Sequence, residues 1–349
     1  MIDRSLIEAA TRLRRHGEPY VIATVVRART PGARLILTRY RWLAGTVSGG
    51  GFDGELAASA WMHTKDAGPV VLTYDPAHPD IGGDDDLRAA FGLGDGGSVD
   101  VLLERAGVLG RIEVLELAAR CTKLQRRAAI ATVIRSDASS VRVGARIALV
   151  AGGEIEQESA PIDATLRDAI ERDLRAVLET GTTLVTTYGA IDVMIEALRP
   201  PPRLFVFGSG PDVVPLAQLA RQVGWEVVIC AASERHTTRE RFTCADEILV
   251  GEPADLAARI DQAERAVCVV ATHDAERDRA CLGMLRGTRA LSIGVVGRTY
   301  ERESPQELAL AIVGEIQTTL LGPTRELRAA VARPVPSRPS AMFAAIAAL

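Results

Sequence analysis

The sequence lacks the features that are typical of disulfide-rich, zinc-binding, nucleic-acid-binding, membrane and secreted proteins. Its five cysteines show no CxxC spacing, so a disulfide framework or a zinc site is not expected. A net charge of −4 provides no electrostatic basis for binding nucleic acid or a membrane surface. No apolar run is long enough to span a bilayer, and the first residues do not resemble a secretion signal. We therefore expect a cytoplasmic protein that binds no metal through its own side chains.

What is present is the composition of an ordinary globular protein. The chain has 349 residues, of which 47% are hydrophobic and only 4% aromatic, and Ala, Val and Leu dominate the apolar set. This length favours two or three domains. The stiff segment Arg199-Pro200-Pro201-Pro202 marks the main boundary, because proline continues neither a helix nor a central strand.

The stretch after this boundary predicts a nucleotide-binding fold. The apolar run 204–207 is typical of a buried parallel strand, Gly208-Ser209-Gly210 follows at once, and helix-spaced apolar residues lead to a second apolar run at 225–230. A strand, a tight glycine turn, a helix and a strand open a Rossmann-like domain. We expect Gly208 to allow the sharp turn and Gly210 to leave room for a phosphate at the helix N-terminus.

The dinucleotide fingerprint is incomplete. Val213 stands at the third glycine position, and the acid expected after the second strand to bond a ribose 2′-hydroxyl is missing where the chain reads Cys230-Ala231-Ala232-Ser233. Ser233 and Arg235 could instead contact a 2′-phosphate, so NAD(P) stays open as a ligand. The motif Thr272-His273-Asp274 follows a later strand and would face the glycine turn, with Asp274 orienting or charging His273. Equally, Thr272 and Asp274 could simply cap the next helix.

The first 198 residues predict an α+β domain with an internal tandem repeat. Four landmarks recur in the same order, which indicates copies at about 18–120 and 126–198. Only the first copy contains glycine-rich loops. Ser48-Gly49-Gly50 and its continuation could form an anion cradle of backbone N–H groups, or merely a tight turn.

The expected fold class of the whole chain is α/β. The repeated α+β domain spans 1–198, a Pro-rich linker spans 199–202, a Rossmann-like parallel-sheet domain spans 203–322 and a tail spans 323–349. The tail contains the sequence Pro-Val-Pro-Ser-Arg-Pro and an alanine-rich end, which suggest an arm that is mobile or docks on a neighbour.

Several motifs together resemble one known family, the XdhC/CoxI family of accessory factors for molybdenum hydroxylases. The motifs occur in the family's order: Ala23-Thr24-Val25-Val26 with Pro31-Gly32-Ala33-Arg34, Gly45 to Gly50, Gly92-Leu93-Gly94 with Gly96-Gly97, Pro201 to Gly210, Thr272-His273-Asp274, Ile293 to Gly297, and Ser304 to Ala309. The resemblance implies a maturation chaperone, rather than an enzyme, that binds the molybdenum cofactor (molybdopterin), protects it during sulfuration and delivers it. It also implies a xanthine dehydrogenase-type partner, a sulfurating partner and a homodimer.

The chain departs from the family pattern at two positions. Gly51 and Asp95 stand where the family has the cysteines suspected of contacting the cofactor, and neither residue can replace a thiolate. The segment after Gly297 also looks shortened. Taken with the Rossmann-like pattern, the candidate cofactor-binding residues form three groups: Gly208, Ser209, Gly210, Ser233 and Arg235; Thr272, His273, Gly297 and Arg298; and Ser48, Gly49 and Gly50.

Two other functions stay open on the residues alone. The Rossmann-like domain could serve an NAD(P)-dependent oxidoreductase in which His273, oriented by Asp274, is the acid/base group. Alternatively, the protein could be a scaffold component that keeps the fold but binds no small molecule.

Overall fold

The protein contains three five-stranded sheets in a computed structural model. The structure describes residues 2–29, 31–49, 52–65, 68–74, 98–107, 111–157, 163–233, 239–296 and 304–321. The predicted tail at 323–349 lies outside these residues, as do Gly92 to Gly97 and Asp95 among them. Within the described part, no helix is both long and apolar enough to cross a bilayer.

The first sheet is antiparallel and belongs to the first copy of the repeat. Its elements and the helices beside it are α1 (Arg4–Arg15), β1 (Val21–Arg27), β2 (Arg34–Leu37), β3 (Trp42–Gly45), α2 (Asp53–His63), β4 (Val70–Tyr74), β5 (Val99–Arg105) and α3 (Val114–Leu124). The strand order is β3-β2-β1-β5-β4. The central strand β1 is buried along almost its whole length because one face packs on α2 and the other on α1 and α3.

The second sheet repeats this topology. Its elements are β6 (Ala128–Ser136), β7 (Arg146–Val150), β8 (Glu154–Gln157), α4 (Ala164–Thr180), β9 (Leu184–Tyr188) and β10 (Ile191–Leu198). The strand order is β8-β7-β6-β10-β9. A helix again lies between the third and fourth strands, so the two sheets have the arrangement that the sequence repeat predicts.

Reciprocal ion pairs join the two copies. Arg34 of the first copy pairs with Glu196 of the second, and Arg146 of the second copy pairs with Glu104 of the first. All four side chains are buried. The sequence alignment of the copies places Arg34 opposite Arg146 and Glu104 opposite Glu196, so the contact is internally symmetric.

The third sheet is parallel, as the sequence predicts for a Rossmann-like domain. Its elements are β11 (Arg203–Phe207), α5 (Val213–Gln222), β12 (Glu226–Ala231), β13 (Glu247–Val250), α6 (Pro253–Asp261), β14 (Ala266–Val270), α7 (Ala275–Leu285), β15 (Ser292–Val295) and α8 (Pro305–Leu321). The strand order is β13-β12-β11-β14-β15. Helices α5 and α8 cover one face, while α6 and α7 cover the other.

The strand order of the third sheet changes direction between β11 and β14. In open α/β sheets, the crevice at the carboxyl ends of the strands beside such a reversal is the usual ligand site. The N-terminal part contacts this domain through its helices: Arg4 Nη1 donates to Asp246 Oδ2 at 3.1 Å, and Gln125 Nε2 donates to Glu226 Oε2 at 2.7 Å.

Candidate functional site: the crevice of the parallel sheet

The glycine turn after β11 is wedged between its neighbouring strands. Gly208 has φ +142°, and a Cβ there would lie 2.1 Å from the carbonyl oxygen of Ala271. The Gly208 N–H donates to the Cys230 carbonyl at 2.9 Å. Only glycine combines this backbone conformation with so close an approach. The sharp turn expected at Gly208 therefore has a direct steric reason.

A cavity of ≈ 130 Å³ opens beside this turn, at the carboxyl ends of β11 to β14. Three of the predicted site residues line it: Gly208, Ser209 and Thr272. Arg277, which the sequence motifs did not single out, lines the same cavity from the first turn of α7. The sequence could have indicated Arg277 through its position, four residues after His273 at the start of a helix that follows a strand.

Arg277 provides the cavity with a positive charge. Within the described part of the chain, its guanidinium forms no ion pair. Thr272 contributes a hydroxyl at the same end, where its Oγ1 donates to Asp278 Oδ1 at 2.5 Å. The Thr272 proton is thus already used, which leaves the Arg277 guanidinium and the Ser209 hydroxyl as groups that can donate to a phosphate.

His273 lies at the other side of the glycine turn and contacts Asp212. Its Nε2 is 3.1 Å from both carboxylate oxygens, and the Asp212 side chain is only 11% exposed. Gly210 makes room for this pair, because a Cβ at that position would lie 2.4 Å from Asp212 Oδ1 and 3.4 Å from the imidazole. His273 adopts φ +57°, a conformation that L residues rarely take.

Asp212 was not predicted, and Asp274 has a different contact from the one expected. Asp274 is the N-cap of α7, where its carboxylate accepts hydrogen bonds from the N–H groups of Glu276 and Arg277 at 2.9 and 3.1 Å. Asp274 therefore caps the helix, which is the alternative role that the sequence left open for it. The carboxylate on His273 Nε2 belongs to Asp212, the residue directly before α5, because the glycine turn brings the start of that helix to the end of β14.

The remaining predicted residues of the crevice are only partly placed. Ser233 is exposed two residues beyond the end of β12. Arg235, Gly297 and Arg298 lie outside the described residues. The proposed contact of Ser233 and Arg235 with a 2′-phosphate therefore stays a prediction.

The N-terminal glycine loop holds a carboxylate of its own. The buried side chain of Asp53 accepts hydrogen bonds from the N–H groups of Val47 at 2.9 Å and Ser48 at 3.2 Å. The Gly49 N–H donates to Thr46 Oγ1 at 2.7 Å, and the Phe52 N–H donates to Ser48 Oγ at 2.8 Å. These four N–H groups are consequently used within the loop. The expected anion cradle at Ser48 and Gly49 is thus filled by Asp53, while Gly50 and Gly51 lie outside the described residues.

Two thiols line the crevice cavity, but they are held protonated. Cys230 and Cys281 are both buried, and burial raises the pKa of each thiol. In the described ranges, no group of three or more His, Cys, Asp or Glu side chains is placed to hold a metal ion. The polar groups of the cavity are therefore one cation (Arg277), one carboxylate (Glu252) and hydroxyl groups, rather than the thiolates that a soft metal centre prefers.

These features define a class: a Rossmann-type domain with a ligand crevice, preceded by a duplicated antiparallel α+β part. Residues 204–303 match the model of the XdhC Rossmann domain, and residues 13–75 match that of the XdhC and CoxI family. The chain belongs to the XdhC and CoxI family.

Two similar proteins extend along most of the chain. A Bacillus subtilis protein, named a probable subunit of xanthine dehydrogenase, is 24% identical over 332 residues, which cover 86% of this chain and 93% of that protein. A solved structure from Bacillus halodurans, titled as a xanthine dehydrogenase, has a TM-score of 0.68 at 20% identity. It covers 92% of this chain and 97% of its own. At this identity the second likeness concerns the fold alone.

Proposed function

We propose that this protein is an accessory protein of a xanthine dehydrogenase-type molybdenum hydroxylase and that its crevice holds the phosphate end of the molybdenum cofactor. The proposal that the crevice binds this ligand rests on the cavity at the strand-order reversal. Arg277 lies there near the hydroxyl-bearing residues Ser209 and Thr272. The accessory role is supported by family membership and by the name of the Bacillus subtilis relative.

The residues present fit one end of the cofactor. Arg277 would neutralise a phosphate, and Ser209 would donate its hydroxyl proton to a phosphate oxygen. Cys230 and Cys281 would remain as neutral thiols, because burial raises their pKa values. When bound, the cofactor supplies the molybdenum–sulfur chemistry that the partner enzyme uses. This chain would anchor the anionic group and shield it from water.

A dinucleotide is the second candidate ligand, and the His273–Asp212 pair is the observation that favours it. A histidine held by a buried carboxylate beside a Rossmann crevice is an arrangement used for proton transfer. An NAD(P)-dependent oxidoreductase would place its substrate against His273.

The test compares ligands and two matched arginine variants. Thermal unfolding and titration calorimetry would be run with molybdopterin, NADPH, NADH and buffer, because a ligand bound only by the folded state raises the melting temperature. Arg277→Ala removes the cavity cation, whereas Arg279→Ala removes an exposed arginine of the same helix that does not line the cavity. We expect Arg277→Ala to weaken molybdopterin binding by about tenfold or more and Arg279→Ala to leave it unchanged.

Each result has a defined meaning. Binding of NADPH alone would replace the chaperone proposal with the oxidoreductase. No binding of any ligand would leave a scaffold protein, and equal effects of both arginine variants would place the site elsewhere. The homodimer and the sulfurating partner are further parts of the proposal. Sedimentation velocity of the purified protein tests the first, and co-purification with a sulfur-transferring enzyme tests the second.

A further inference from the structure

The β2–β3 hairpin of the first copy presents an exposed cluster of aromatic and basic side chains. Residues 38–42 read Thr-Arg-Tyr-Arg-Trp, and we call them the aromatic–basic tip. Tyr40 is 82% exposed and Trp42 is 44% exposed, and the two arginines are exposed as well. Tyrosine, tryptophan and arginine are the residue types that contribute most binding energy at protein interfaces.

Contacts within the hairpin order the backbone turn and part of the side chains of the tip. The Thr38 N–H donates to the Arg41 carbonyl at 2.9 Å, which closes the turn. The Trp42 indole N–H donates to the carbonyl of Gly45 at 2.7 Å, and the Arg39 guanidinium lies 5.5 Å from the centre of the Tyr40 ring. Side chains that are already ordered lose less entropy on binding.

The second copy shows that the fold does not require this composition. The corresponding β7–β8 turn is Ala151-Gly152-Gly153, with φ +108° and +93° at its glycines. Glycine suits the positive φ of this turn, whereas residues 38–41 have no positive φ, so the first copy closes its hairpin with a different turn. Because the second copy closes the equivalent strands without aromatic or basic side chains, the hairpin itself does not require them.

The charge of the tip indicates the kind of partner. The chain has a net charge of −4, yet within the described ranges neither Arg39 nor Arg41 forms an ion pair with a carboxylate. Two arginines are few for nucleic acid, whose binding draws on many phosphate contacts. They suit a small acidic patch that surrounds an apolar contact for Tyr40 and Trp42.

We propose that the aromatic–basic tip is the surface that docks this protein onto an acidic patch of the hydroxylase it serves. The inference rests on the proposed accessory function, and it adds the surface through which that function is exercised. The crevice lies in the third sheet and the tip in the first, so docking and ligand binding would use different parts of the chain.

The test measures binding of the purified xanthine dehydrogenase-type enzyme of the same organism by calorimetry at 50 and 300 mM salt. Arg39→Glu with Arg41→Glu reverses the charge of the tip, and Tyr40→Ala removes its most exposed ring with little risk to folding. The matched control is Arg167→Glu with Arg172→Glu on the exposed face of α4, which changes the net charge equally. A parallel arm uses a single-stranded RNA oligonucleotide.

We expect both tip variants to weaken enzyme binding at least about tenfold, the charge variant to lose most of the salt dependence, and the control to bind like the wild type. Wild-type affinity in the tip variants would overturn the inference alone and leave the accessory function standing. If the wild type does not bind the enzyme, both fail. Tip-dependent binding of the RNA without the enzyme would also overturn the inference.

Discussion

Asp212 and His273 meet across the glycine turn, with Nε2 of His273 3.1 Å from both oxygens of the carboxylate. They lie 61 positions apart in the chain, at the start of α5 and just after β14. The contact needs two unusual backbone features: the missing Cβ of Gly210 and the positive φ of His273. Such strain is maintained only where the surrounding structure compensates for it, and it is concentrated at functional sites.

The strain at His273 should affect the stability of two variants differently. His273→Gly and His273→Ala both remove the contact with Asp212, but only glycine takes φ +57° without cost. We expect the glycine variant to be more stable by about 1 kcal/mol, measured as the free energy of unfolding in urea. At Glu276 inside α7 the order should reverse, with alanine the more stable replacement. Equal stabilities of His273→Gly and His273→Ala would show that the backbone at position 273 is not strained.

The turn at Gly208 should be far less tolerant than a glycine inside a helix. Gly208→Ala would place a Cβ 2.1 Å from the Ala271 oxygen at φ +142°, and we expect a loss of about 3 kcal/mol or more. Gly283→Ala in α7 meets nothing within 4 Å and should stabilise the protein by about 0.5–1 kcal/mol. Thermal and urea unfolding of both variants provide the measurement. A stable Gly208→Ala protein would show that the turn relaxes.

The architecture could be predicted from the sequence because each part has a local signal. The recurrence of Gly32-Ala33-Arg34 as Gly144-Ala145-Arg146 predicts two copies, and the copies form sheets of identical strand order. In the same way, the apolar run before Gly208 predicts the central parallel strand. Patterns of this kind depend on burial and turn geometry, which are visible in a few neighbouring residues.

Contacts between distant residues could not be predicted in this way. Asp274 is adjacent to His273 in the sequence and was its expected partner, but its carboxylate caps α7 while Asp212 reaches the imidazole. Similarly, the loop at Ser48 has the pattern of an anion cradle, yet Asp53 folds back to fill it. A short-range pattern identifies the groups available for hydrogen bonding, whereas the tertiary fold decides which of them pair.

The cysteines should behave as core residues rather than as reactive thiols. Burial raises the pKa of Cys121 to about 11 and that of Cys268 to about 12, and it raises the pKa values of Cys230 and Cys281 as well. Cys244 is the one cysteine that is partly exposed. At pH 8 we expect a disulfide reagent to modify one thiol quickly and the other four only on unfolding.

Variants assign the fast thiol in that experiment. Cys244→Ser should remove the fast phase, and Cys281→Ser should leave it unchanged. A fast reaction at Cys230 or Cys281 would show that the crevice holds a thiolate, which would contradict the neutral thiols described above. It would also reopen a role for sulfur in cofactor binding.

Asp192 should make the contact between the two copies sensitive to acid. Its carboxylate accepts hydrogen bonds from Arg135 Nε at 2.8 Å, from Thr187 Oγ1 at 2.8 Å and from Arg27 Nη2 at 2.5 Å. The hydrogen bond from Arg135 is the main reason why the pKa of Asp192 lies well below its usual range. Because the folded-state pKa is lowered, the carboxylate stabilises the fold above the unfolded pKa of about 3.9 and loses this contribution as the pH falls below it.

The measurement is the free energy of unfolding as a function of pH from 7 down to 2. We expect the wild type to lose stability progressively below about pH 4, and Asp192→Asn to be less stable at pH 7 but to show a shallower decline. Asp137→Asn is the matched control, because Asp137 also contacts Arg135 but its side chain is 65% exposed. That variant should keep the wild-type slope, since an exposed ion pair contributes little to stability. An unchanged slope in Asp192→Asn would contradict the assignment of the acid sensitivity to Asp192.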